Sequence, residues 1–436
     1  MVDHTATARI QRLVRWLEQF KRCFGHRAQL LSLRTYVQGV FSDSERKSMQ
    51  AMLARVTEPV AYQAFQHFIT HAPWDADRVW RRLRAIVPER RGVLILDGTS
   101  FPKQGPHSVG VNRQYCGALG KIANCQVATT VALWTGARAW FLGATLYLPD
   151  SWLTADARQR ARIPAAVAFQ EKWRHALTLL RQVRAAGFDL TAVLGDAEFG
   201  DVTLVRAALH RLRLPYALGI SSTLTVFVRR PRLVTPILRT GRGRPRTARR
   251  VAESDRPRAV REVARDLPRS AWRSIRWRNG TQPSRRAQFA ALRVTPATGW
   301  RVGRLAPEVW LLCERESDGG LKYYLIHLPP RTGLRRLVEL AHQRWAIEQQ
   351  YQELKSELGF DHFEGRTYPG WQHHVVLTAV AHAYIQRERM RRGAAGLTFP
   401  AVRAIVQEIF TALLFAAKPR YMHWMEQAKH ELQLRI

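Results

Sequence analysis

Three carboxylate side chains of this sequence have the types and positions that a site for divalent metal ions needs. Asp97 and Asp196 each end a short apolar run, Val93-Leu-Ile-Leu-Asp97 and Ala192-Val-Leu-Gly-Asp196, which is typical of a buried β-strand. Glu348 lies further along, in a stretch with helical spacing. Three carboxylates can hold two divalent ions about 4 Å apart, and Mg²⁺ or Mn²⁺ suits such oxygen ligands. Asp97, Asp196 and Glu348 are therefore the predicted ligands of two metal ions.

Two basic residues flank Glu348 at helical spacing. An α-helix advances about 100° per residue, so Arg344, Glu348 and Lys355 fall within about 40° of one another on one helix face. A carboxylate between two cations suits a site that holds a metal ion and a phosphate together. Each residue alone has a plainer interpretation, because an aspartate after a strand is often a turn or cap residue and Glu348 could simply pair with Arg344. The joint pattern favours a catalytic site.

The balance of charge points to a polyanionic partner. The 436 residues include 69 Lys and Arg against 34 Asp and Glu, a formal net charge of +35, and 46% are hydrophobic, which excludes general disorder. A chain this basic attracts nucleic acid. The nucleic acid could be the substrate of an enzyme, or the protein could simply coat it without acting on it. The four cysteines lack zinc-binding spacing, no signal peptide is visible, and no apolar run approaches 18 residues. We therefore expect a cytoplasmic protein with reduced thiols and no membrane span.

The elements that must position these residues change along the chain. Residues 1–88 have apolar residues at helical spacing with arginines between them, which predicts a helical region that either binds DNA or serves as scaffold. Residues 89–220 begin with β-type segments and then alternate helices with strands, including a helix over about 165–186. Residues 331–390 contain the predicted Glu348 helix, and a basic helical tail follows over 391–436. This order predicts a mixed α/β fold in which helices cover a sheet.

Residues 221–330 differ in composition from the segments around them. Residues 221–304 contain 22 Arg, no Lys and 4 acidic residues, a net charge of +18. Two predicted strands then flank Ser317-Asp-Gly-Gly320, which indicates a hairpin. We expect a basic, β-rich insertion between the second aspartate and the glutamate. Its tryptophans are more simply explained as the core of a small β-domain than as residues that stack on bases: Trp272, Trp277, Trp300 and Trp310.

Several basic residues are candidates for DNA contact. The run Arg242-Gly-Arg-Pro-Arg246 is similar to an AT-hook core, which lies in a narrow A·T minor groove, although a solvated basic loop is the plainer alternative. Two lysines near the first aspartate are weaker candidates. The pair His373-His374 is predicted to be structural or to contact DNA. The predicted DNA contacts outside the Glu348 helix are Arg242, Arg244, Arg246, Lys103 and Lys121.

Taken together, these residues resemble a known family. The chain looks like a DDE transposase of bacterial insertion sequences, a group with a ribonuclease-H-like catalytic core. Many members carry, on the third-carboxylate helix, Tyr, two residues, Arg, three residues, Glu, six residues and Lys. Arg344, Glu348 and Lys355 fit this signature, but Ala341 stands at the Tyr position. Three further segments are similar to the first-aspartate region of one subgroup: Asp97-Gly-Thr-Ser-Phe-Pro-Lys103, Arg113-Gln-Tyr115 and Asn124-Cys-Gln-Val127.

The resemblance implies a function and its cofactors. Asp97, Asp196 and Glu348 would bind two Mg²⁺ or Mn²⁺ ions, and the two basic residues flanking Glu348 would hold phosphate near the scissile bond. Glu198 is a rival of Asp196 as a ligand. The protein would cut double-stranded DNA at the inverted repeats of its own element and join it to a target, as a homodimer in a synaptic complex at the bacterial nucleoid. Two alternatives remain open: a nuclease of related fold that does not join strands, and a domesticated copy that only binds DNA.

Overall fold

A computed structural model of the chain describes residues 4–235, 249–277, 285–300, 304–394 and 396–418. Helices dominate both ends of the chain, and strands dominate the middle. The α-helices are, in chain order, α1 (His4–Glu18), α2 (Arg27–Val40), α3 (Met49–Ala54), α4 (Tyr62–Thr70), α5 (Ala76–Ile86), α6 (Ala155–Ala161), α7 (Lys172–Ala185), α8 (Ala197–Gly200), α9 (Thr203–Arg211), α10 (Val260–Arg265), α11 (Leu334–His342), α12 (Trp345–Gln352), α13 (Tyr368–Arg389) and α14 (Phe399–Ala417).

Twelve strands form one mixed sheet, and two short strands form a separate ribbon. The strands are β1 (Arg91–Pro102), β2 (Asn112–Cys116), β3 (Lys121–Trp134), β4 (Ala139–Leu146), β5 (Asp189–Gly195), β6 (Tyr216–Ile220), β7 (Thr225–Phe227), β8 (Leu233–Val234), β9 (Arg250–Val251), β10 (Arg258–Ala259), β11 (Arg273–Trp277), β12 (Arg285–Pro296), β13 (Val309–Arg315) and β14 (Leu321–His327). The order in the sheet is β10-β7-β12-β13-β14-β6-β5-β1-β3-β2, with β11 beside β12 and β4 beside β3. The predicted mixed α/β fold is confirmed.

The centre of the sheet is parallel, and its flanks are antiparallel. Strands β1, β5 and β6 run in the same direction, while β3 pairs with β1, and β14 with β6, in the opposite direction. The middle of β1 is buried on both faces, which explains its unbroken apolar run Val93–Leu96. Helix α7 packs on β3 and β4, and α13 packs on β4. The sheet therefore holds the apolar runs that end in the two aspartates at its centre.

Helix α13 is the central helix of the molecule. Most of its 22 residues are buried, because it packs against α2, α4, α5 and α14 as well as β4. Its histidines have partners inside the core. His373 bonds the carbonyl oxygens of Ile69 and Trp74, and His374 bonds Tyr36 and the carbonyl of Phe360. The His373-His374 pair is thus structural and joins the N-terminal helices to the rest of the fold.

The basic segment after β6 adds its strands to the same sheet. Strand β14 returns to pair with β6, and β13 and β12 follow outward from it. β7 pairs with the end of β12. The predicted hairpin around Ser317–Gly320 is present between β13 and β14. The β-type segments of the predicted insertion therefore extend the core sheet.

Helix α14 bears on the expectation that the chain has no membrane span. It has 19 residues and is long and apolar enough to cross a membrane by length and composition, with 28% of its apolar window buried. The sequence still has no unbroken apolar run of this length here, because Arg403 and Glu408 interrupt it. By themselves, length and composition are weak evidence for a span, because a core helix can pass the same test. One stripe of α14 is buried in the protein: Phe399, Val402, Val406, Phe410 and Leu414.

Two predicted helices have different limits in the structure. The helix predicted over about 165–186 begins only at Lys172, because residues 164–171 form turns and irregular chain. The Glu348 helix is not a regular α-helix throughout. Arg344 caps the start of α12, and Glu353–Glu357 form a π-helical turn directly after it. A π-turn rotates the residues that follow it, so Lys355 does not keep the α-helical angle that its spacing predicted.

Candidate active site

The pairing of β1 with β5 places Asp97 beside Asp196. Ile95 is the partner of Leu194 in this parallel pair, and each aspartate lies two residues further along its strand direction. Adjacent strands are about 4.8 Å apart, so the two carboxylates share one edge of the sheet. Asp196 also caps α8, where its side chain accepts a hydrogen bond from the Glu198 amide at 3.0 Å. The sheet thus brings together two residues that are far apart in the sequence.

Arg344 joins the first aspartate to the helix-borne glutamate. One guanidinium nitrogen lies 3.3 Å from Asp97 Oδ1, and the other lies 2.9 Å from Glu348 Oε1. The Asp97 side chain is 10% exposed, whereas that of Glu348 is 64% exposed. The Arg344 guanidinium therefore lies between a buried carboxylate, that of Asp97, and an exposed one, that of Glu348. Glu348 therefore forms the solvent side of the site.

Burial makes the charged forms of the two aspartates unfavourable, and the nearby positive charge offsets this cost only in part. The pKa of Asp97 is raised to about 7, mainly by burial; the charge of Arg344 opposes this rise, and the charge of Asp196 contributes to it. Burial also raises the pKa of Asp196, with Glu198 adding to the shift. A divalent cation at this edge would relieve both effects, so the donor set fits a metal ion. Within the described residues, however, no three His, Cys, Asp or Glu side chains are placed to hold one ion together.

Sequence reasoning missed two hydroxyl groups that complete this site. The Tyr351 hydroxyl lies 2.5 Å from Thr130 Oγ1, and Thr130 is the cross-strand partner of Asp97. Burial raises the pKa of Tyr351, and the Asp97 charge adds to the rise. Tyr351 follows Glu348 by three residues on α12, so helical spacing alone could have indicated that it lies on the same side. Thr130 had no comparable signal, because its position depends on the β1–β3 register.

Lys355 lies beside the first strand, next to the residues that follow Asp97. Its ammonium group donates a hydrogen bond to the Ser100 carbonyl at 3.0 Å and packs over the ring of Phe101. Burial lowers the pKa of Lys355. The lysine is therefore anchored three residues beyond Asp97 on β1. Lys355 itself lies within the π-helical turn that follows the helix of Glu348.

Two further glutamates lie close in sequence to the predicted ligands, and the structure places them in different surroundings. Glu198 pairs with Lys172 at 2.7 Å, and its Oε2 lies next to Gly98, beside the aspartates. Glu353 is buried and points the other way. It accepts hydrogen bonds from Gln349, His382 and Gln386. Glu198 therefore remains close enough to assist at the site, whereas Glu353 anchors the π-helical turn to α13.

Comparison with known proteins agrees with this geometry. The family described as DDE superfamily endonuclease matches residues 19–284, which include Asp97 and Asp196. The chain belongs to this family. A probable transposase for insertion sequence element IS701 from Microchaete diplosiphon is 31% identical over 189 residues, which is 42% of this chain and 47% of that protein. The chain thus spans about half the length of this curated relative, and the family match ends before Glu348.

The predicted resemblance to the DDE family is thereby confirmed, and DDE endonucleases generally use divalent metal ions. A cleft of about 500 Å³ opens beside the site, between Arg344 and Glu348 and the outer strands. Ala341 lines it at the position where the family signature has Tyr. Trp277 stacks on His342 at the cleft wall, with ring centroids 4.2 Å apart. The remaining cleft residues are mainly charged or aromatic: Arg285, Arg286, Glu314, Glu316, Lys322, Tyr324 and Trp345.

The other tryptophans of the basic segment and the two lysines near the first aspartate that are predicted to contact DNA lie outside the lining of this cleft. Arg315 packs over Trp272, Arg293 over Trp310, and Phe227 against Trp300. Lys103 donates hydrogen bonds to the carbonyl oxygens of Asp361 and Phe363, and burial lowers its pKa to about 8. Lys121 is exposed at the start of β3. The predicted minor-groove contacts lie outside the described residues: Arg242, Arg244 and Arg246.

Proposed function

We propose that the protein is a DNA transposase, which cleaves the ends of its own insertion sequence and joins them to target DNA by two-metal-ion phosphoryl transfer. The observation that carries this proposal is the position of Asp97 on β1 and of Asp196 directly after β5, the neighbouring parallel strand, with Arg344 linking Asp97 to Glu348. Membership of the DDE endonuclease family and the similarity to a probable insertion-sequence transposase support it.

The carboxylates would hold two Mg²⁺ or Mn²⁺ ions. Ions bound in this way supply activation of the attacking water or 3′-hydroxyl and stabilise the leaving oxygen. Asp97 and Asp196 provide the fixed, buried side of the site, because both are anchored by the central sheet. Glu348 provides the exposed side on α12. Glu198 lies near enough to assist Asp196, and a test on each carboxylate decides between them.

The cations of the site would position the DNA strand. The Arg344 guanidinium lies between two carboxylates and carries further N–H groups suited to phosphate oxygens. Lys355 is fixed to β1 by the Ser100 carbonyl, so it places a second positive charge beyond Asp97. A phosphodiester bound by these charges beside Asp97 would be held in line for displacement.

The formal charge of +35 favours double-stranded DNA as the partner, through contacts with its phosphates. Because an element has two ends, a homodimer would supply one active site for each end. We place the protein in the bacterial cytoplasm, associated with the nucleoid. The predicted arginines of 242–246 would add contacts in an A·T minor groove.

Purified protein and a duplex with the inverted repeats that bracket the gene provide the test. With Mg²⁺, we expect nicks at the repeat ends and, with a target plasmid, covalent joined products. The Asp97→Asn, Asp196→Asn and Glu348→Gln variants should bind the duplex but give neither product. Nicks without joined products would favour a nuclease, and binding without nicks by the unaltered protein would favour a DNA-binding protein only.

A further inference from the structure

The hairpin formed by β2 and β3 exposes large apolar side chains on its outer face. Tyr115 and Ile122 are cross-strand partners, and they are 66% and 61% exposed. These are the two highest exposures among the large hydrophobic residues that the structure describes. Leu119, in the turn between the strands, is 48% exposed. A single exposed apolar residue is ordinary, but three on one hairpin form a patch that suggests a binding surface.

The inner face of the same hairpin is fixed to the strand that carries Asp97. Cys116 is fully buried, and its thiol lies 3.5 Å from the Ser100 hydroxyl. The Ala118 amide donates a hydrogen bond to the same hydroxyl at 3.0 Å. The Ser100 carbonyl in turn accepts the hydrogen bond from Lys355. Ser100 lies about 10 Å along the strand from Asp97. The exposed patch is therefore held at a fixed place beside the active site.

The charge around the patch selects its partner. Residues 98–149 contain no Asp or Glu, and Arg113 and Lys121 are exposed on the hairpin. Arg113 lies on the same face as Tyr115, because side chains two apart in a strand point the same way. A second copy of this basic chain would bring like charges together. A polyanion is favoured instead, and apolar side chains within a cationic surface match the stacked bases and the phosphates of DNA.

We propose that Tyr115, Leu119 and Ile122 form a wedge that enters between base pairs of the DNA duplex held at the carboxylate site. This inference rests on the proposed function, because it assumes that DNA is the substrate there. Proteins that insert apolar side chains at a base step unstack it and kink the duplex. A wedge next to Asp97 would open the duplex beside the scissile phosphate. The hairpin would then make the strand accessible, while the carboxylates cut it.

The test uses the full chain, without added metal, and an inverted-repeat duplex with 2-aminopurine at successive positions around the cleavage site. We expect the unaltered protein to raise the fluorescence several-fold at one or two positions, because 2-aminopurine brightens when it unstacks. A Tyr115→Ser/Ile122→Ser double variant and Leu119→Ser should lose this rise and bind roughly tenfold more weakly. Tyr115→Phe should keep it, since the ring is retained. Leu204→Ser is the matched control, because Leu204 is another exposed leucine, 53% exposed, on α9.

Two outcomes would overturn the wedge. One is a fluorescence rise that survives in the double variant. The other is a double variant that self-associates differently, as measured by sedimentation velocity, but unstacks bases as the unaltered protein does. That result would make the patch a contact between copies of the chain. Cleavage of the same duplex with Mg²⁺ is measured separately. If the unaltered protein unstacks bases through these residues but does not cut, the wedge stands and the proposed function fails.

Discussion

Replacing Asp97 by asparagine should stabilise the metal-free protein at neutral and alkaline pH. Burial raises the pKa of Asp97 to about 7, from an ordinary value of 3.8. A carboxyl group whose pKa is raised by folding contributes fully to stability below about pH 4, and this contribution is lost as the pH rises towards 7. Since one pKa unit corresponds to about 1.4 kcal/mol, the charged carboxylate costs at most about 4 kcal/mol at pH 8. Asparagine has no charge and avoids this cost.

The assay is thermal unfolding in a chelator, from pH 4.5 to pH 8. The Asp97→Asn variant should melt several degrees above the unaltered protein at pH 8, and the difference should become much smaller near pH 4.5. Asp189→Asn is the control, because the Asp189 side chain is 65% exposed and its ion pair with Arg91 is at the surface. A variant that melts below the unaltered protein at pH 8 would refute the reasoning. In that case the Arg344 ion pair outweighs the cost of burial.

Three further predictions concern other parts of the molecule. In denaturant titrations, Glu353→Ala should lower the free energy of unfolding by about 3 kcal/mol, because alanine leaves buried donors without an acceptor. Glu353→Gln should lower it by less, and equal losses in the two variants would contradict this reasoning. Gly200→Ala should strongly destabilise the fold, since a Cβ there would lie 1.8 Å from the Gly219 carbonyl oxygen, whereas Gly25→Ala, with open space, should have a small effect. Deleting 241–250, which removes five arginines, should weaken DNA binding and flatten the dependence of log K on log salt by a few units; an unchanged slope would place the DNA path elsewhere.

The local parts of the site could be predicted from the sequence. The apolar runs before Asp97 and Asp196 indicated buried strands, and the structure has β1 and β5 there. The spacing of Arg344 and Glu348 indicated one helix face, and the two side chains do pair. Both predictions depend only on short-range periodicity, which the sequence contains directly.

Features that depend on long-range packing could not be predicted. The π-helical turn that redirects Lys355 has no periodic signature, and it is held by Glu353 bonding residues of α13. The contact of Thr130 with Tyr351 depends on a strand register set by the whole sheet. The capping role of Asp196 was a stated alternative to a metal-binding role, and the structure contains this cap, in which Asp196 accepts a hydrogen bond from the Glu198 amide.

The continuous sheet has a mechanical consequence. The strands of the basic segment, β12 to β14, are hydrogen-bonded in an unbroken series to β6, β5 and β1. The main chain therefore provides no flexible linker between the outer strands and the strand of Asp97. In the proposed complex, this continuous sheet would not fold around the double helix, so the bending would occur in the DNA. The contacts along the sheet, rather than a moving arm of the protein, would then stabilise the bent DNA.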